Sequence, residues 1–150
     1  LCAKREDMFT GTYENSIDSK NRLIIPAKYR NQLGGECVLS RGYDRCIYIY
    51  TMEDWGLLVE KLKELRQSDP AIREFIRKLF SQASECKLDS QGRVIVPANL
   101  KSYARIDKDL VTLGAMDKIE VWSKEIFNEN EDDNPMDDED FIAKLAEYGL

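Results

Sequence analysis

The sequence predicts an α+β fold, mainly β with short helices, in which two copies of one hairpin-and-helix unit close a single β-barrel-like domain. Three observations carry this expectation: an internal repeat, a shared strand–turn–strand–helix pattern in both copies, and a helical period confined to the stretch between them. Glu14 to Ala27 aligns with Glu85 to Ala98 at an offset of 71, and seven of the fourteen positions are identical. Past a one-residue insertion the match continues at an offset of 72, where Gly42 meets Gly114, Ile47 meets Ile119 and Ile49 meets Val121. Tyr50 then meets Trp122, Glu53 meets Glu125 and Trp55 meets Phe127. A unit of about 45 residues is therefore duplicated. One such unit cannot bury a core alone, so the two are expected to pair.

Each element follows from local chemistry. Tyr13 to Asp18 and Arg22 to Ile25 read as strands joined by the tight turn Asp18-Ser19-Lys20-Asn21. An Asp at the first position accepts turn N–H groups, and Asn at the fourth tolerates left-handed backbone; the second copy has Gly92 there, which tolerates it better still. Pro26 is expected at the first helical position, with Ala27 to Leu33 making about two turns before Gly34 stops them. Pro97 and Ala98 to Ala104 repeat this. Cys37 to Ser40 and Cys46 to Tyr50 read as further strands, matched by Leu110 to Leu113 and Ile119 to Trp122. Between the copies, Trp55, Leu58, Leu62 and Leu65 mark one helix and Ile72, Phe75, Ile76, Leu79 and Phe80 a second, with Ser68-Asp69-Pro70 as cap and first-turn proline. This helical hairpin serves either its own domain or a subunit interface. The expected organisation is an extension (1–7), a first unit (8–55), the helical hairpin (56–82), a second unit (83–127) and an acidic tail with a short terminal helix (128–150).

A net charge of −6 would ordinarily count against a nucleic-acid partner. Taken by segment, residues 1–50 carry +2, residues 51–125 carry 0 and residues 126–150 carry −8. The acidity belongs to the tail, where Asn128 to Asp140 holds eight acids and no base. Like-charge repulsion makes that stretch a solvated linker, serving solubility or competing with DNA for a basic face. Phe141, Ile142, Leu145, Ala146 and Tyr148 beyond it have amphipathic helical spacing. The chain has no histidine, which excludes a His general base, Ser–His and Cys–His nucleophile pairs and imidazole ligands. Cys2, Cys37, Cys46 and Cys86 show no metal-site spacing, and Cys46 lies in an apolar run that predicts a buried thiol. No cofactor, metal or small-molecule substrate is expected. No apolar run approaches the roughly 18 residues of a membrane helix. Lys4, Arg5, Glu6 and Asp7 replace the apolar core of a signal peptide, so a cytoplasmic location is expected.

The repeated Asp-x-x-x-Arg is the sharpest feature. Catalysis would need a second carboxylate or nucleophile beside each Asp, and the recurring Glu14 and Glu85 stand at the far end of the strand. No Walker or Rossmann phosphate loop exists either. No catalytic residue is therefore assigned. Around Asp18 stand Lys20, Arg22, Lys28 and Arg30; around Asp89 stand Arg93, Lys101 and Arg105. Cations on a rigid hairpin suit a duplex backbone, and an arginine fork can read guanine edges. The candidate DNA contacts are Lys20, Asn21, Arg22, Lys28, Arg30, Gln91 and Arg93, with Asp18 and Asp89 holding the turns and orienting the arginines. A plain ion pair that only fixes each hairpin is the structural alternative.

Met8-Phe9-x-Gly11, Asp18-Ser-Lys-Asn-Arg22, Ile25-Pro26-Ala27, Ala83-Ser-Glu-Cys86 and Asp89-Ser-Gln-Gly-Arg93 together resemble the MraZ family. The resemblance spans Met8 to about Phe127. It implies a bacterial transcriptional regulator with two AbrB-like swapped-hairpin units, cytoplasmic and nucleoid-associated. It further implies binding to tandem short G-rich promoter repeats, control of the division and cell-wall gene cluster, and a ring-shaped homo-oligomer of eight to twelve subunits. Leu1 to Asp7 precede the family's usual start and read as a non-native extension. Asn21 stands where glycine is commoner in the family. The competing reading is an AbrB-like or antitoxin-like protein-interaction module without sequence-specific DNA binding.

Overall fold

Each Asp-x-x-x-Arg hairpin closes only at its tip in the computed structural model, which describes residues 8–130 and 138–150. Asn21 N donates to the Asp18 carbonyl (3.0 Å) and Asp18 N to the Arg22 carbonyl (3.1 Å). One residue earlier, Ile17 N leaves for the Lys108 carbonyl of the other unit (2.9 Å). The two strands of the hairpin then part. β1 (Thr12–Ser16) and β2 (Arg22–Ile24) take their partners from the second unit, β1 along β7 (Asp109–Gly114) and β2 along β6 (Arg93–Ile95), both antiparallel. The second unit reciprocates: β5 (Ser84–Lys87) pairs with β3 (Glu36–Arg41) of the first.

With β4 (Ile47–Thr51) and β8 (Ile119–Ser123), six strands form one antiparallel sheet in the order β1-β7-β8-β4-β3-β5. β2 and β6 form a separate two-stranded ribbon. The α+β class holds, but the expected closed barrel does not form. The two first strands become opposite edges of the sheet, while the short second strands are withdrawn into the ribbon that covers one of its faces.

Period-2 alternation decides what lies between sheet and ribbon. Leu23, Ile25, Val94 and Val96 point inward at 0–1% exposure and join Leu39, Ile47, Ile49, Leu110, Ile119 and Val121 of the sheet. Burying each such aliphatic side chain contributes about 1.5–3 kcal/mol. Two short helices flank the ribbon, α1 (Ala27–Leu33) and α4 (Ala98–Tyr103). Pro26 and Pro97 sit one position earlier than expected, as the extended residues that precede each helix rather than its first helical residue. Tyr29 of α1 is fully buried, its hydroxyl donating to the carbonyls of Thr10 (2.7 Å) and Gly11 (3.0 Å).

Helices cover the sheet's other face. α2 (Met52–Lys63) seats Trp55 between Tyr50 and Phe80, with ring centroids 5.6 and 5.4 Å away. α3 (Pro70–Gln82) opens on the expected Asp69 cap, which accepts from Ala71 N at 2.9 Å, but buries none of its side chains fully. α5 (Lys124–Asn130) packs Ile126 and Phe127 beside Trp122. The repeat had matched Phe127 to Trp55 without marking a helix there. Cys46 is fully buried among these residues, and burial pushes its thiol up to about 12. The terminal helix α6 (Glu139–Glu147) forms as its spacing predicts. Cys2, the 1–7 extension and most of the acidic stretch lie outside the described residues. Among the described residues no helix is long and apolar enough to cross a membrane.

Candidate nucleic-acid interface

Both aspartates saturate their turns in the same way. Asp18 Oδ1 accepts from the backbone N–H groups of Lys20 (2.9 Å) and Arg22 (2.8 Å), while Oδ2 accepts from Arg22 Nε (2.6 Å). Asp89 repeats this with Gln91 N (2.9 Å), Arg93 N (2.9 Å) and Arg93 Nε (2.7 Å). The Arg22 backbone N–H is the largest influence on the Asp18 carboxyl. Partial removal from water opposes it, and the Arg22 side chain and the Lys20 N–H add to it, holding the group below its ordinary 3.8. Asp89 is lowered in the same order by Arg93 and Gln91. Each carboxylate thus fixes a turn and a guanidinium at once. Because it takes only Nε, the two terminal amino groups of each arginine make no hydrogen bond to the described residues.

The ribbon places these two arginines together. Arg22 stands opposite Ile95 and Arg93 opposite Ile24, so all four side chains share the outward face, with Arg22 and Arg93 on a diagonal. Diagonal neighbours lie about 7–8 Å apart. Ile25 N donates to the Gly92 carbonyl (2.9 Å) and Val96 N to the Asn21 carbonyl (2.8 Å), which extends the ribbon to a turn at each end. Its length is then about 14 Å at roughly 3.4 Å per residue. The major groove is about 12 Å wide and admits a two-stranded ribbon. Lys20 and Gln91 are exposed on the two turns.

The remaining sequence candidates have other duties. Asn21 sits at φ 59 and its Oδ1 accepts from Lys101 Nζ of the other unit (3.0 Å). Arg30, at the matching helix position, lies over the turn of the second unit and donates from Nε to the Ile25 carbonyl (2.8 Å). Gly92 beneath it has φ 76, and a Cβ there would collide with Arg30 Nε and Cζ. Lys28 leaves the ribbon altogether, with Nζ on Thr10 Oγ1 (2.9 Å). Among the described residues no group of three His, Cys, Asp or Glu is placed to hold a metal.

Sequence reasoning missed two features. Ile24 and Ile95 stay 50% and 63% exposed between the arginines, an unusual position for isoleucine. Strict alternation counted from Arg22 would have turned Ile24 outward, but the unbroken run Leu23-Ile24-Ile25 hid the period. The crossed latches, Lys101 on the first turn and Arg30 on the second, were legible as two basic residues at matching repeat positions.

The comparisons with known proteins agree with this duplicated architecture. The sequence model of the family described as "MraZ protein, putative antitoxin-like" matches twice, over residues 8–78 and 79–147. A transcriptional regulator MraZ of Clostridium tetani is 46% identical over 143 residues, covering 95% of this chain and all of the relative. Proteins of the same name from Alkaliphilus oremlandii and Thermoanaerobacter pseudethanolicus are 40% and 39% identical over the same length and coverage. Two matched units spanning nearly the whole described chain, with full-length relatives at this identity, place the chain in the MraZ family.

Proposed function

We propose that this chain is a DNA-binding transcriptional regulator that sets the outward face of the β2–β6 ribbon into the major groove. One observation carries the reading: two arginines, each aimed by its own aspartate and each with terminal amino groups that bond to none of the described residues, share the exposed face of a groove-sized ribbon. A guanidinium presented in this way forms the bidentate pair with guanine O6 and N7, and a neighbouring aliphatic side chain suits a thymine methyl. Arg22 and Arg93 are accordingly the base readers, and Ile24 and Ile95 pack on the base edges between them. Lys20 and Gln91 meet the flanking backbone from the turns. Asn21 and Arg30 belong to the same basic surface as secondary contacts, held back by their internal bonds, whereas Lys28, turned to Thr10, stands apart from it. Asp18 and Asp89 orient the arginines and do not face phosphate themselves.

The relatives' name, transcriptional regulator MraZ, supports regulation as the role. The proposal extends to tandem short G-rich promoter repeats, the division and cell-wall gene cluster, a cytoplasmic nucleoid-associated location and a self-associated ring that presents ribbons at regular intervals. A gel-shift titration against a duplex of tandem G-rich repeats and a scrambled duplex, at several salt concentrations, tests it. Tighter binding to the repeats, with affinity falling as salt rises, is expected. Equal or absent binding to both duplexes returns the chain to the protein-interaction reading.

A further inference from the structure

The turn joining β3 to β4 (Gly42 to Cys46) and its match joining β7 to β8 (Ala115 to Lys118) differ in cover and in charge. In the second unit the amino-terminal segment lies over the turn: Phe9 N donates to the Met116 carbonyl (2.8 Å), and Phe9 is only 1% exposed. The one cation of that turn, Lys118, is paired with Asp117 (3.1 Å). In the first unit Arg41, Tyr43 and Arg45 stand where the second has Leu113, Ala115 and Asp117. Leu79 and Phe80, at the repeat offset from Met8 and Phe9, stay in α3, and Phe80 packs on Trp55. Between the first turn, α3 and Tyr103 of α4 there is an open cleft of about 200 Å³.

Two kinds of group meet in this cleft. The first is a pair of cations on one fixed ring. Tyr103 Oη donates to the Gly42 carbonyl (2.5 Å), which ties the ring to the turn. The guanidinium carbons of Arg41 and Arg45 lie 4.0 and 4.9 Å from the centre of that ring. A ring attracts each cation without neutralising it, and contact through the carbon leaves the N–H donors for an oxyanion. Neither arginine has a carboxylate partner among the described residues, whereas Lys78 at the cleft wall is paired with Glu74 (3.0 Å). Asp44, in the turn itself, is the other acid nearby, so the two arginines outnumber it. The second kind is aromatic. Tyr43 and Phe75 are nearly parallel, with an interplanar angle of 29° and centroids 6.4 Å apart, and Tyr43 is 74% exposed. A large part of the Tyr43 ring is therefore open to a further ring.

We propose that the cleft binds a nucleotide, with the base against Tyr43 and Phe75 and the phosphates on Arg41 and Arg45. The volume decides which part goes inside. A cleft of about 200 Å³ is smaller than the roughly 300 Å³ at which sites for whole drug-sized ligands begin. It holds a base, and the sugar and phosphates lie at the rim where the arginines stand. Charge decides against a simple aromatic acid, because one carboxylate would leave one of the two arginines uncompensated. A phosphate chain carries charge for both and offers the oxygens that a guanidinium fork takes in pairs. Stacking favours no particular base, since every base has a flat face to offer. The residues come from the β3–β4 turn, α3 and α4, none of them from β2 or β6, so this site is separate from the DNA-binding ribbon and does not depend on it.

Isothermal titration of the full chain with ADP and UDP, and with inorganic pyrophosphate and adenosine as the separate halves, tests the site. At least one of the two nucleotides is expected to bind saturably, about tenfold or more tighter than either half. Arg41→Ala/Arg45→Ala should weaken both that nucleotide and pyrophosphate by about tenfold or more. Tyr43→Ala should weaken the nucleotide and leave pyrophosphate unchanged. Arg22→Ala/Arg93→Ala, on the ribbon, should bind the nucleotide as wild type does. Circular dichroism monitors folding, and Tyr43→Ala, which alters an exposed side chain, stands as the test if the arginine variant unfolds. Absence of saturable binding of both nucleotides at millimolar concentration overturns the proposal. So does a nucleotide that binds no tighter than pyrophosphate, which would make the arginines an anion site without a base. Binding that survives loss of Arg41 and Arg45, or that disappears with Arg22 and Arg93, also overturns it by placing the nucleotide elsewhere.

Discussion

The two Asp-x-x-x-Arg turns are built alike where they face outward and differently where they are latched from within. Outward, the carboxylate bonds agree within 0.1 Å: 2.6 and 2.7 Å to the arginine Nε, 2.8 and 2.9 Å to the arginine backbone. Inward, the first turn is latched by a hydrogen bond between Asn21 and Lys101, the second by Arg30 lying on a bare glycine. Both latches hold a left-handed residue (φ 59 and 76) under a cation supplied by the opposite unit. The same packing problem thus has two solutions, an asparagine under Lys101 and a bare glycine under Arg30. The outer constellation appears twice in one form, as expected of parts that meet the same kind of ligand.

Substitutions can break that comparison face by face. The largest effect falls on the inner face: Leu23→Ala should cost about 2–5 kcal/mol of stability in denaturant unfolding. Ile24→Ala, one residue away on the outer face, should cost well under half of that while weakening DNA binding. On the outer face, Arg22→Ala should lose about 1–3 kcal/mol of binding in isotherms if it reads a base edge. Arg93→Ala should lose less, because neutral Gln91 stands where the first turn has Lys20. At the latches, Gly92→Asn should lower stability by about 1 kcal/mol, through left-handed strain and the displaced Arg30. Adding Arg30→Lys recreates the pairing of the first turn, so a melting temperature that moves back toward wild type would confirm that the latches are interchangeable. The smallest effect concerns pH. Both carboxyls are lowered from 3.8, so their contribution to the turns is complete above that value and is lost as pH falls through the lowered values. Carboxyl resonances of Asp18 and Asp89 followed by NMR should shift below pH 3.8, and a midpoint at or above 3.8 would count against the turn bonds.

Much of this is legible in the sequence. Gly34 after Leu33, Asp69 before Pro70 and the Asn21/Gly92 exchange are local signals, and each produced the element it predicts. Strand pairing was not local. Nothing within Thr12–Ile25 says that β1 and β2 will part at Ile17, because the competing partners, Lys108 and the β7 strand, lie about ninety residues away. The closed barrel is expected because one unit cannot bury a core alone, and that requirement fixes the pairing of the units without fixing which strands share a sheet. The site suffered in the same way. Lys28 and Arg30 are close to Arg22 in sequence, but helix α1 carries them to Thr10 and Ile25. Arg93, distant in sequence, becomes the diagonal neighbour of Arg22 through the ribbon register.

The central claim is that Arg22 and Arg93 give the ribbon its sequence preference. Binding of wild type and of the Arg22→Ala/Arg93→Ala double variant to G-rich repeat and scrambled duplexes at fixed salt, with circular dichroism on both proteins, tests it most directly. The account predicts a folded double variant that binds the two duplexes weakly and equally, whereas wild type favours the repeats. A folded double variant that still favours the repeats would contradict it and leave the two Asp–Arg pairs as fasteners of their turns.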